Sequence, residues 1–134
     1  MFNILVYLLA IQKTAKGIHY LCKNSSFYSD HLLADKIQDG LDDFMDDIQE
    51  ICYLGHNEDA PQPSSVLKAA TAIVPVLTDD IDEDFNLLNN LIVSCITEIQ
   101  SLSEKPYSLG DFDLLGRIGS DLQQKHGFIF RRLT

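Results

Sequence analysis

Four side chains in this sequence have the types and spacing for metal chemistry: His19, His31, Asp46 and Glu50, separated by twelve, fifteen and four residues. Imidazole binds Fe(II) well and hard carboxylate oxygens favour Fe(III), so two of each form a donor set suited to iron passing between its oxidation states. Their geometry follows from the elements that carry them.

Those elements read as helices. Ile4, Leu8, Ile11, Ala15, Ile18 and Cys22 recur at steps of three and four, which marks one amphipathic helix from about Phe2 to Cys22. Asn24, Ser25 and Ser26 supply a turn and an N-cap. Ile37, Leu41, Phe44, Ile48 and Ile51 then define a second long helix from about Phe27 to Leu54, with Gly55 as its C-cap. These two helices hold all four residues.

On the second helix, at about 100° per residue from Asp35, the positions of His31, Asp39, Asp42, Asp46 and Glu50 all fall within about 60° of zero. The apolar set lies between about 160° and 240°, nearly opposite. The acidic stripe therefore faces away from the subunit's own core. His31 and Asp46, fifteen residues apart, are separated by about 22 Å along one helix and cannot share a metal within one chain. Two copies packed antiparallel about a two-fold axis would place His31 of one beside Asp46 and Glu50 of the other, an intersubunit site. His19, at the rim of the first helix's apolar stripe, could reach the same interface. His56, in a loop, and His126, in a terminal helix, have no comparable partners and read as structural or solvent-exposed.

The rest of the chain is also helical in pattern. His56 to Pro63 is a loop, Pro63 opens a short helix to about Ala72, and Pro75 ends it. Thr78 is the expected N-cap of a third long helix with Phe85, Leu88, Leu91, Ile92, Cys95 and Ile99 inside. Asp111 to about Arg132 forms the fourth, weakened locally by Gly116, Gly119 and Gly127. No hairpin signal and no repeat occurs. The fold class is all-α: a four-helix bundle with a short extra helix in the crossover between helices two and three, the ferritin-like connection.

Size and charge set limits on function. A chain of 134 residues is one domain, 1–134, and 46% hydrophobic content supplies its core. Three cysteines, Cys22, Cys52 and Cys95, with no CxxC pair, exclude a disulfide scaffold or zinc finger and indicate reduced thiols in a cytoplasmic compartment. Met1 to Ile11 is apolar but lacks a basic n-region and is too short to span a membrane, so neither leader nor anchor is expected. A net charge of -10 repels phosphate and attracts cations, which makes nucleic acid a poor partner.

The stretch KGIHYLCKNSSFYSDHLLADKIQDGLDDFMDDIQEICYLG resembles the first two helices of the Dps-like miniferritins, the DNA-binding proteins from starved cells. The family pattern is a His followed by an aromatic, a second His twelve residues on, and D-x-x-x-E beginning fifteen residues later. His19, His31, Asp46 and Glu50 reproduce it, and Asp35 stands where the family has an additional aspartate near the metal. The short helix after APQPSS and the tail GDFDLLGRIGSDLQQKHGFIFRRL resemble the family's crossover and last helices more loosely, so the resemblance covers nearly the whole chain.

That resemblance implies a hollow homo-oligomer, a dodecamer, which oxidises ferrous iron with hydrogen peroxide or oxygen at two-fold intersubunit sites and stores ferric mineral inside. His19 and His31 would come from one subunit and Asp46 and Glu50 from its partner. Asp111 and Asp113 fall where the family lines three-fold pores with acidic residues, although ordinary N-terminal helix charge explains them equally well. Asp39, Asp42 and Asp43 are either mineral-nucleating or solvated. Tyr20 replaces the tryptophan that commonly follows the first His. The Lys-rich extension that family members use on DNA is missing, and twelve chains would carry about 120 negative charges, so no direct DNA binding is expected. The alternatives are a non-catalytic ferritin-like structural or cargo protein with a vestigial metal site, and an unassembled acidic helical interaction module.

Overall fold

The computed structural model describes all 134 residues and contains helices and loops only. Helix α1 spans Phe2–Leu21, α2 Phe27–Gln38, α3 Leu41–Asp47, α4 Pro63–Ile73, α5 Ile81–Ser101 and α6 Leu109–Leu133. Between α3 and α4 the chain widens into a π turn, Ile48–Tyr53, and then tightens into a 3-10 turn, Leu54–His56. The four-helix bundle is formed by α1, the α2–α3 pair, α5 and α6, and the extra helix α4 lies in the crossover against α1.

Its core is one hydrophobic cluster. Ile4, Leu8, Ile11 and Ile18 of α1 meet Ile37 of α2, Leu41 of α3 and Ile48 of the π turn. Phe85, Leu88, Ile92 and Cys95 of α5 face Leu114, Ile118, Leu122 and Ile129 of α6. These are the apolar positions that recur at helical spacing, since a helix that buries one stripe must place that stripe against its neighbours.

The second helix is not continuous, as its apolar period suggested; it breaks between α2 and α3. The Asp39 amide closes α2 onto the Asp35 carbonyl, and Gly40 then adopts φ +79°, a left-handed conformation that costs a glycine little. The break is held from across the bundle. Lys125 of α6, almost fully buried, donates from Nζ to the Asp39 carbonyl at 2.6 Å and lies 2.7 Å from the Asp121 carboxylate. Phe44 N–H donates back to the Gly40 carbonyl, and α3 resumes with Leu41 still buried.

Two caps differ from expectation. Asp80, rather than Thr78, caps α5, accepting from the Asp82 and Glu83 amides, while the Thr78 hydroxyl donates to the buried Asp84 carboxylate at 2.9 Å. Carboxylates at this position satisfy the first amides of a helix directly. Gly55 does not terminate the second helix; it sits inside the 3-10 turn, which ends at Asn57 with φ +56°. Helix α6 runs unbroken through Gly116, Gly119 and Gly127 and starts from a capping box between Ser108 and Asp111. No helix is long and apolar enough to cross a membrane.

Candidate metal centre

His19 lies in the last turn of α1 and His31 in the second turn of α2, with only Cys22 to Ser26 between the helices. That short connection folds the two rings onto each other, with centroids 3.5 Å apart and planes 17° from parallel. Their hydrogen bonds are reciprocal. His19 Nδ1 lies 2.8 Å from the His31 carbonyl oxygen, and His31 Nδ1 lies 2.6 Å from the His19 carbonyl oxygen. A carbonyl only accepts, so each Nδ1 carries the hydrogen, and whenever a ring is neutral its lone pair is on Nε2. Such a backbone bond on the far nitrogen is the usual means of fixing a metal-ligating histidine's tautomer and orientation.

Aromatic rings extend the pair at both ends. Phe27 stacks on His31 at 4.9 Å, and Tyr20 meets His19 edge to face at 5.1 Å. Both histidines are half-buried, whereas Tyr20 is largely exposed.

The carboxylates form a separate group. Asp46 and Glu50 stand one turn apart on the exposed face where α3 becomes the π turn, and Asp47 joins them, with all three ligand oxygens within 4.8 Å of one another. Widened π turns occur often at functional sites. The D-x-x-x-E spacing passes Asp47 by, and the doublet Asp46-Asp47 is its only sequence signal. Its carboxylate lies 4.0 Å from Arg117, which donates to Asp113 at 3.1 Å.

Neither histidine belongs to that carboxylate group, and no other cluster of three His, Cys, Asp or Glu ligand atoms that could hold a metal ion lies within one chain. Asp35 is exposed one turn beyond His31 and accepts from Gln38 Nε2 at 3.0 Å. One chain therefore holds two separate groups: two stacked imidazoles, and three convergent carboxylates.

Other members of the acidic stripe have local roles. Asp42 accepts from the buried Gln12 Nε2 at 2.6 Å, which ties α3 to α1, while Asp39 and Asp43 are exposed. The two candidate pore residues part company. Asp111 is 2% exposed, and its carboxylate is taken up by the Ser108 amide and by His56 Nε2 at 2.9 Å, which makes it the capping-box partner of Ser108. Asp113 is exposed beside Arg117. Burial pushes the Asp111 carboxyl's pKa up, but the bonds from Ser108, His56 and Cys52 outweigh it and leave the group below its ordinary value. Burial and the neighbouring Asp111 push the Cys52 thiol to about 12. All three cysteines are free and buried. His126 bonds Asn89 Oδ1, and both remaining histidines thus have structural partners.

No family model and no curated protein matches this sequence. Solved structures do. The fold superposes on Dps from Thermosynechococcus elongatus with a TM-score of 0.86 at 18% identity, covering 98% of this chain and 85% of that one. It also superposes on a mutant of Mycobacterium smegmatis Dps1 with a TM-score of 0.71 at 16% identity, covering 99% and 94% of the two chains. The chain has the Dps fold, an all-α ferritin-like bundle with an extra helix in its middle.

Proposed function

We propose that this protein is an iron-oxidising and iron-storing miniferritin. Ferrous iron is the substrate, taken up where His19 and His31 of one subunit face Asp46 and Glu50 of a two-fold partner, with Asp35 close by. Two ferrous ions supply the two electrons that reduce one hydrogen peroxide, with two protons, to two waters; oxygen is the other candidate oxidant. The ferric product is stored inside a hollow homo-oligomer, a dodecamer built from this one domain. Three buried free thiols suit a reducing cytoplasmic compartment, and a charge of -10 per chain keeps the shell off DNA.

The observation that carries this reading is the division of ligands into two half-sets, each well formed and each incomplete. Paired imidazoles with fixed bare Nε2 atoms have no need of that order for solubility or packing. The Dps fold likeness supports the assembly such halves require. Arg117 beside Asp47 favours the rival, a structural ferritin-like shell without turnover, because a resident cation at the carboxylates opposes a second one.

Mixed assembly tests both points. Oligomers made only of His31→Ala or only of Asp46→Ala chains should oxidise ferrous iron no faster than buffer. Co-assembled from equal amounts of the two, they should recover about a quarter of wild-type sites, since half the pairs are mixed and each mixed pair holds one intact site. Full activity in either homo-oligomer would reject the assignment of ligands, and no recovery on mixing would reject a shared site.

A further inference from the structure

Asp30, the residue before His31, is a carboxylate with 1% exposure, and nothing in the histidine spacing calls for it. A buried charge persists in a fold only when it is paired and hydrogen-bonded. Its partner is Arg132, in the last turn of α6, whose Nε donates to Asp30 Oδ1 at 2.9 Å. Ser26 Oγ donates to the other carboxylate oxygen at 2.8 Å. The guanidinium reaches further, donating from Nη1 to Asp82 Oδ1 at 2.6 Å and lying 5.4 Å from the centre of the Phe85 ring. One side chain thereby joins the first turn of α2, the first turn of α5 and the last turn of α6. The helix ends are matched in sign as well, an acid at one N-terminus and a base at one C-terminus.

Beyond the His19–His31 bonds, this ion pair ties the start of α2 to the far helices. The α2 N-cap, Ser26, makes no side-chain bond to the helix amides, and Phe27, Tyr28 and Ser29 are exposed. Successive helical residues point about 100° apart, so fixing Asp30 inward fixes the direction in which His31 leaves the same turn, towards α1. Resting on the reading of His19 and His31 as metal ligands, we propose that Asp30 and Arg132 are positioning residues, an ion-pair clasp that sets the rotation and height of the first turn of α2. His31 Nε2 is thereby presented beside that of His19. The bidentate, planar guanidinium suits the task, because it fixes angle as well as distance.

Cobalt(II) titration of the intact oligomer, followed by visible absorption, tests the clasp without iron turnover. Arg132→Lys keeps the charge but cannot bridge Asp30 and Asp82 together; it should bind cobalt about tenfold more weakly, with an altered band shape. The apolar pair Asp30→Leu with Arg132→Leu removes both charges together, which leaves bundle stability near wild type while releasing the turn. It should lose at least as much affinity. Wild-type affinity and band shape in either variant overturns the clasp, and Arg132→Lys decides alone if the apolar pair does not fold. Wild-type binding in His31→Ala has a different meaning: the histidine half-site itself then fails, and the clasp with it.

Discussion

His19 and His31 hold each other by their backbones: each ring's Nδ1–H donates to the other residue's carbonyl oxygen, and the rings stack 3.5 Å apart. The end of one helix and the start of the next are thus joined through the same atoms that fix both tautomers. Under the proposed ligation, stability and metal binding would use opposite nitrogens of the same ring, and that makes them separable.

Substituting His31 with asparagine places an amide nitrogen close to the Nδ1 position while deleting Nε2. His31→Asn should lose less than about 1 kcal/mol of stability if the bond to the His19 carbonyl survives. Metal affinity should nevertheless fall about 10- to 100-fold. Thermal unfolding and cobalt titration on one sample check both halves, and unchanged affinity would show that Nε2 is not a ligand.

Arg117 stands 4.0 Å from Asp47 and competes with any cation at the three carboxylates. Both partners are substantially exposed, so the pair contributes little, on the order of 0.5 kcal/mol. Arg117→Gln should therefore tighten metal binding by only about twofold, and by less as salt rises. Weaker binding in this variant, measured by the same titration, would reverse the sign assigned to the arginine.

Lys125 supports the break between α2 and α3 from within the core. Lys125→Ala strands the Asp39 carbonyl and the Asp121 carboxylate, and should cost about 3 kcal/mol. Lys125→Met combined with Asp121→Leu should recover only the part of that loss due to the Asp121 charge, because the Asp39 carbonyl still lacks its donor. Chemical denaturation of the three proteins gives the comparison.

Asp111 ties acid stability to the start of α6. Its pKa is lowered in the fold, so the stability it contributes is present in full above the ordinary value of 3.8 and is lost as pH falls through the lower folded value. Asp111→Asn should be about 1 kcal/mol less stable than wild type at pH 7. The gap should narrow only below pH 3.8. Denaturation at a series of pH values checks this, and a gap already closed well above pH 3.8 would reject the account.

Much of the fold was legible because burial repeats at helical spacing: the stripes Ile4 to Ile18, Phe85 to Cys95 and Leu114 to Ile129 form the core as expected. The break at Gly40 was not, since the apolar period runs straight through Ile37, Leu41 and Phe44, and the lysine that holds the break lies 86 residues away. The burial of Asp30, Lys125 and Asp111 is not legible in the sequence, for one reason. Charged residues default to the surface, and only a distant partner reveals that one is buried. The histidine and carboxylate halves could be found by spacing, but the lock on the imidazoles involves backbone carbonyls, which no side-chain motif encodes.

Because the two rings are oriented when the chain folds, a cation bound by them as proposed would require no rotamer search. The slow variable is then delivery through solvent, and a chain of charge -10 attracts cations along its whole field. Association should consequently weaken steeply with ionic strength while dissociation hardly changes. On the proposed reading, the reciprocal histidine bonds would make capture speed a property of the surrounding electrolyte and not of protein motion.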